Sequence, residues 1–337
     1  MVVASTLRVL VTALTYRRPD DLAALLPALV DQARRSTAFA EVAIVDNDPD
    51  GGAEPVVSAE RDASLAQAAE HSAVEPDAAK VGTAGAGRAP VGIRYLHVPE
   101  PGIAAARNAA LDAAAGFDLI VFIDDDERPV ERWLEKLIET YLMHRSTAVV
   151  GPVISEYAAE PDPWITAGAF FSRRRMPTGS PVDLAATNNL LLDVRQVREL
   201  GLRFDERFGL SGGSDTLFTR QLHARGGTMI WCDEAVVVDM VPRNRLTRGW
   251  VVRRAFRSGN TWMRTSVELA PTAVRRAATR IKLSALGVAR LLAGSARVTW
   301  GLVSGRVHHR AKGVRTIARG AGLVAGSFGS VYSEYRR

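Results

Sequence analysis

Four consecutive acids, Asp124-Asp125-Asp126-Glu127, close the apolar run Leu119-Ile120-Val121-Phe122-Ile123. A run of that length and type suits a strand buried on both faces of a parallel sheet. The acids then fall at its C-terminal mouth, where open α/β sheets bind ligands. Side chains alternate along a strand, so Asp124 and Asp126 share one side and Asp125 points away. Paired carboxylates repel, and a hard divalent cation with oxygen ligands relieves that cost. An acidic loop that merely follows a strand is the competing explanation.

Three other positions carry types that could do chemistry. Asp46-Asn47-Asp48 follows the apolar Val42-Ala43-Ile44-Val45; acids there bond ribose or base, or else cap an Asx turn. Arg107, beside Asn108, falls in the first turns of a helix and suits phosphate or carboxylate recognition, unless it is simply an exposed helix residue. Asp215 follows Gly212-Gly213-Ser214 at a helix start, where an N-cap would explain it without any chemistry. Gly82-Thr83-Ala84-Gly85-Ala86-Gly87 has the composition of a phosphate loop, but no strand precedes it and it is set aside.

These residues need elements to hold them. Leu7–Leu14 reads as the first strand; Pro19 opens a helix with Leu22, Leu25, Leu26 and Leu29 on one face. Strands follow at 42–45, 93–98, 118–123, 148–153 and 187–192, with helices at 104–115, 131–141 and 216–225. The 51–90 segment, rich in Ala, Gly and Glu, reads as a flexible insertion of loop or short helix. The pattern is α/β, with a mostly parallel, Rossmann-like central sheet.

The chain has 337 residues, 47% hydrophobic, with one cysteine, Cys232, so no internal disulfide can form. Its net charge of +6 is unevenly spread. Residues 241–337 hold 20 Lys and Arg against Glu268 and Glu334, or +18, which leaves −12 for residues 1–240. Arg8 interrupts the N-terminal apolar run, against a signal peptide, and no stretch is long and apolar enough to span a bilayer. From 271 to 320 there are 11 cations and no acid. Arg276, Arg290 and Arg297 share one helix stripe, the profile of an interfacial helix on an anionic membrane; helices folded back on the body are the alternative. Nucleic acid is the runner-up partner for this charge, but the tail has few aromatics for base stacking and no recognised motif, so none is expected.

Taken in order, these motifs resemble an inverting glycosyltransferase of family 2 with the GT-A fold. The resemblance rests on Thr15-Tyr16-Arg17-Arg18-Pro19, Val45-Asp46-Asn47, Gly102-Ile103-Ala104-Ala105-Ala106-Arg107-Asn108, Asp124-Asp125-Asp126 and Gly212-Gly213-Ser214-Asp215. It runs through Val241-Pro242-Arg243-Asn244-Arg245-Leu246-Thr247 to about residue 260, and the neighbourhoods of Phe122, Gly151-Pro152 and Pro163-Trp164-Ile165 look most like succinoglycan-type β-glucosyltransferases of bacteria. It implies a catalytic domain over 1–265, and the charge pattern adds a basic, amphipathic, membrane-associating helical tail over 266–337.

The resemblance also implies roles. Asp46 would recognise the base or ribose of the nucleotide, with Thr12, Tyr16 and Arg17 lining the same pocket. Asp124 and Asp126 would be the DxD pair, holding Mg²⁺ or Mn²⁺ against the diphosphate of a sugar nucleotide, UDP-linked. Asp239 would make a third metal contact, and Arg107, Arg243 and Arg245 would face the donor's negative charge. Asp215 would be the catalytic base, with Ser214 standing where relatives carry Glu. The Gln-x-x-Arg-Trp motif of processive relatives is missing, which implies one sugar per encounter. The expected acceptor is a glycan or lipid-linked sugar of exopolysaccharide synthesis, and the expected place is the cytoplasmic face of the cell membrane. A non-catalytic sugar- or nucleotide-binding module of the same fold is the alternative; it would have no need of Asp126 and Asp215 together.

Overall fold

Leu119, Val121 and Ile123 belong to one apolar cluster, while Ile120 and Phe122 belong to another. The strand that carries the acids is therefore buried on both faces, as its unbroken apolar run requires. The computed structural model describes residues 6–74 and 90–332. It begins with β1 (Arg8–Thr15), α1 (Pro19–Arg35), β2 (Phe39–Asp46), α2 (Glu54–Val74), β3 (Ile93–His97) and α3 (Ile103–Ala113). Next come β4 (Leu119–Asp124), β5 (Glu127–Pro129), α4 (Trp133–His144), β6 (Ala148–Val150), β7 (Val153–Tyr157), α5 (Pro163–Ala167), β8 (Asn189–Asp193) and α6 (Val194–Glu199). The chain continues with α7 (Ser214–Ala224), β9 (Met229–Trp231), β10 (Val237–Val241), α8 (Arg248–Glu268), α9 (Ala273–Val303) and α10 (Val307–Ser327).

Seven strands form the central sheet, in the order β3-β2-β1-β4-β8-β6-β9. Pairing is parallel from β3 through β4 and between β6 and β9; only β8 runs antiparallel to its neighbours. One face is packed by Leu22, Leu26 and Leu29 of α1, Trp133 and Leu137 of α4 and Val57 of α2. The other is packed by Ala106 and Ala110 of α3, Val194 and Val197 of α6 and Phe218 and Leu222 of α7. Pro19 opens α1, Asp20 and Asp21 lie in its first turn and Arg34 and Arg35 in its last, each matching the helix dipole. The mostly parallel α/β sheet with a C-terminal helical region is the expected fold class.

The chain divides into two compact units. The first comprises 1–154, 175–206 and 218–239; the second comprises 155–174, 207–217 and 240–337. The boundary expected between 265 and 266 falls inside α8 instead. The insertion expected over 51–90 also needs correcting in part. Its first half is the 21-residue helix α2, tied to the core by Ala53 just ahead of it and Val57 within it. Two small apolar anchors are too little periodicity to signal a helix. The Gly82–Gly87 run lies outside the described residues.

Within the second unit, α10 packs on α8 and α9 through glycine. A Cβ on Gly287 would stand 2.9 Å from the Gly320 carbonyl oxygen, and one on Gly320 would stand 2.7 Å from that of Gly287. Gly294 and Gly313 repeat the contact at 2.9 and 2.8 Å. Within that unit the tail helices are thus packed on one another and on α8. Arg276 donates to the Ala270 carbonyl, and the Arg290 Cβ lies against Gly320. Arg276 nonetheless stays exposed, and Arg290 is partly buried.

Candidate active site

Parallel pairing brings the C-terminal ends of β1, β2 and β4 level: Thr15 lies opposite Asp46, and Leu14 opposite Asp124. The chain beyond β4 then folds back tightly. Glu127, fully buried, accepts from the Asp124 amide at 3.1 Å and from Asn188 Nδ2 at 2.7 Å. The turn therefore exposes alternate acids. Asp124 and Asp126 are partly open to solvent, whereas Asp125 and Glu127 are buried. The burial alternates as expected, but the turn after Asp124 and the bonds of Glu127 set it, since the strand itself ends at Asp124.

Asp125 is held rather than offered. Its carboxylate accepts from Thr15 Oγ1 at 3.0 Å and from Arg18 Nη1 at 2.8 Å. Burial pushes its pKa up to about 6; Arg18 opposes that rise and the neighbouring Asp126 adds to it. The same Arg18 nitrogen lies 3.1 Å from Asp126 Oδ2, so one guanidinium bridges both carboxylates. Arg18 also lines a cavity of about 360 Å³ with Thr15, Arg17, Pro19, Asp48, Gly52 and Ala53. Arg17 donates to Asp48 at 3.2 Å and to Asp50 at 3.3 Å. Two guanidiniums and an acceptor carboxylate on one wall can bind a group carrying both phosphate and hydroxyls.

Several expected site residues fall elsewhere. Thr12 does not line this cavity; it sits mid-strand, fully buried, and donates to the Val121 carbonyl at 2.9 Å. Because β1 extends to Thr15, the threonine at the mouth is Thr15. Asp46 is likewise buried, and its oxygens accept from the Asp48 and Ala53 amides and the Tyr95 hydroxyl at 2.9, 2.9 and 3.0 Å. Burial and this bond to Asp46 raise the Tyr95 pKa. Asp46 therefore builds the turn, the Asx alternative, and the cavity acid is Asp48, two residues on. Tyr16 stays partly exposed, its ring 5.3 Å under the Arg17 guanidinium. Arg107 is buried, 5.5 Å over the Phe204 ring, while Asn108 clamps Phe204 by a pair of 2.9 Å bonds. Sequence reasoning missed Thr15, Arg18 and Asp48; the signal was that Arg18 and Pro19 follow immediately on a strand end.

Asp239, in the first unit, lies opposite Glu127 on the antiparallel pair β10–β5 and is nearly buried. Among the described residues no three His, Cys, Asp or Glu side chains stand together as a metal site. Two partly open carboxylates at a strand mouth still fit Mg²⁺ or Mn²⁺, which commonly take one or two protein carboxylates and leave other positions to phosphate and water.

In the second unit, Gly212 and Gly213 have φ of +74° and +97°, and a Cβ on Gly213 would strike Thr261. This glycine pair delivers Ser214, fully buried, and Asp215, partly exposed, to the first turn of α7. Asp215 Oδ1 accepts from the Thr216 amide at 2.7 Å. The helix begins at Ser214, so Asp215 sits inside the first turn rather than at its cap. Arg243 is exposed, and Arg245 lies 5.9 Å over Trp250.

Comparison with known proteins places this geometry. The family model described as "Glycosyl transferase family 2" matches residues 11–192. The succinoglycan biosynthesis protein ExoM of Rhizobium meliloti (strain 1021) is 34% identical over 265 residues, 79% of this chain and 77% of that protein. Among solved structures, GalNAc-T7 with UDP, GalNAc and Mn²⁺ matches at a TM-score of 0.52 and 11% identity over 77% of this chain. S. aureus TarS matches at 0.49 and 14% over 81%. The chain spans 48% and 41% of those two longer chains. The likeness to GalNAc-T7 is one of fold, the GT-A arrangement of a mostly parallel sheet. By the match across more than half its length and by its ExoM relative, the chain belongs to glycosyl transferase family 2.

Proposed function

We propose that this glycosyltransferase moves one sugar from a UDP-linked donor to a glycan or lipid-linked acceptor in exopolysaccharide synthesis, inverting the anomeric centre. The observation that carries the reading is the pairing of partly open Asp124 and Asp126 at the β4 mouth with Arg18, which bridges Asp126 to the cavity of Thr15, Arg17 and Asp48. The ExoM relative supports the polysaccharide, and the UDP and Mn²⁺ of GalNAc-T7 support the donor class and the ion.

In this reading Asp48 accepts a ribose hydroxyl, and Arg17 and Arg18 face the diphosphate. Asp124 and Asp126 would hold Mg²⁺ or Mn²⁺, which when bound supplies positive charge against the leaving diphosphate. Asp215 takes the proton of the acceptor hydroxyl as its oxygen bonds to the anomeric carbon and the bond to phosphate breaks. A single displacement from the opposite face turns an α-linked donor into a β-glycoside.

The test couples binding with turnover. Asp126→Asn should abolish the gain in UDP affinity that Mn²⁺ confers, measured by calorimetry. Asp215→Asn should keep that affinity while transfer falls about 10²–10⁴-fold. A product of retained configuration, or turnover in Asp215→Asn within a few fold of the parent, would overturn the assignment of the base.

A further inference from the structure

The helix α9 buries the wrong residues for an ordinary amphipathic helix. Leu283, Gly287, Gly294 and Gly301 are its buried positions, three of them glycines set seven apart. The opposite face carries Val274, Ile281, Leu292 and Val303, each 69–79% exposed, with Val288 on the same line. Ala278, Ala285, Ala296 and the single polar residue Thr299 fill the positions between them, and no charged residue falls on that arc of the helix at 100° per residue. At 31 residues the helix runs about 46 Å, so the bare stripe is far longer than isolated surface apolar residues would make it.

Two further features border the stripe. Arg275 and Lys282 lie along one edge, where they line a cavity of about 330 Å³ with Ser266 and Thr279. Trp300 follows farther along that edge and is 57% exposed. No helix among the described residues is long and apolar enough to cross a membrane.

We propose that this face of α9 docks on an anionic lipid bilayer: the stripe enters the headgroup–acyl boundary, and Arg275 and Lys282 take phospholipid headgroups at the cavity. Charge complementarity selects the occupant. No acid occurs between 269 and 333, so a second copy laid on this face would set cation against cation. Anionic headgroups match that sign, and an exposed Trp at the edge suits the interfacial layer. The lipid-facing side is thus the uncharged one, with cations at its margin, and the inference does not depend on the transfer reaction.

The experiment uses the full chain and phosphatidylcholine vesicles with or without phosphatidylglycerol, read by co-sedimentation. Binding should need phosphatidylglycerol. Ile281→Glu with Leu292→Glu should weaken it at least about tenfold, since two apolar side chains lose their burial. Arg275→Gln and Lys282→Gln should each cost roughly fivefold at low salt. Both Glu positions are already in water, so the melting temperature and UDP affinity of that variant should match the parent. A brominated phospholipid should quench emission in the parent and much less in Trp300→Phe. Equal binding of the Glu variant and the parent would overturn the proposal. So would equal binding to both vesicles, or a dimer in sedimentation equilibrium that the Glu substitutions dissolve.

Discussion

Asp46 and Asp48 are both buried but hold different groups. Asp46 accepts from two amides and the Tyr95 hydroxyl, whereas Asp48 lines the cavity and accepts from the Asp50 amide and Arg17. Asp46→Ala should therefore lower stability by about 2–4 kcal/mol, from a net worth of about 1 kcal/mol per bond plus stranded buried donors. Asp48→Ala, which strands only the Asp50 amide and a largely exposed Arg17, should cost about 1 kcal/mol in urea unfolding and weaken UDP binding in calorimetry. The reverse pattern would return the nucleotide to Asp46. Arg18 is the second test at this scale. Its loss in Arg18→Ala leaves Asp125 buried against Asp126, a cost of several kcal/mol for a fully buried pair and about 2 kcal/mol here, since Arg18 is 38% exposed. Urea unfolding would read it, and an unchanged midpoint would mean that water replaces the guanidinium.

Elements were legible where one period dominated. The run before Asp124 shows a doubly buried strand, but the alternation of open and closed acids beyond it is fixed by the turn and by Glu127's bonds to Asp124 and Asn188. Thr15 was not legible, because the end of β1 is set by pairing with β2 through Asp46, a contact 31 residues away. The helix α2 was hidden by its composition, and the packing side of α9 by the habit of burying leucine. Glycine there permits an approach of backbones that larger side chains forbid. Gly320→Ala gains roughly 1 kcal/mol in helix propensity, yet its methyl would meet the Gly287 oxygen at 2.7 Å and the Leu291 nitrogen at 3.2 Å. Overpacking typically costs about 1–3 kcal/mol. Packing should win, and the melting temperature of Gly320→Ala should fall; a rise would show that α9 and α10 separate freely.

At the scale of the whole chain, the charge split sets how the molecule answers to salt. The hairpin of α9 and α10, with Arg306 in its connection, contains eleven Lys and Arg and no acid of its own, so its internal electrostatics are repulsive. Arg319 shows the effect: burial lowers its pKa first, and Arg290 lowers it further. Arg315 follows the same pattern, with Arg319 as its neighbour. Most domains lose a little surface attraction as salt rises, but here screening removes repulsion. Raising ionic strength from about 0.01 to 0.15 M shortens the Debye length from roughly 30 to 8 Å, less than the length of either helix. Amide hydrogen exchange across Val307–Ser327 should therefore slow several-fold with added salt. The buried strands β1 and β4, packed by apolar side chains, should not share that response. Faster exchange of α10 with salt would mean that acids outside the hairpin hold it by attraction. The direction of that one change distinguishes a tail packed by glycine against its own charge from a tail held by ion pairs.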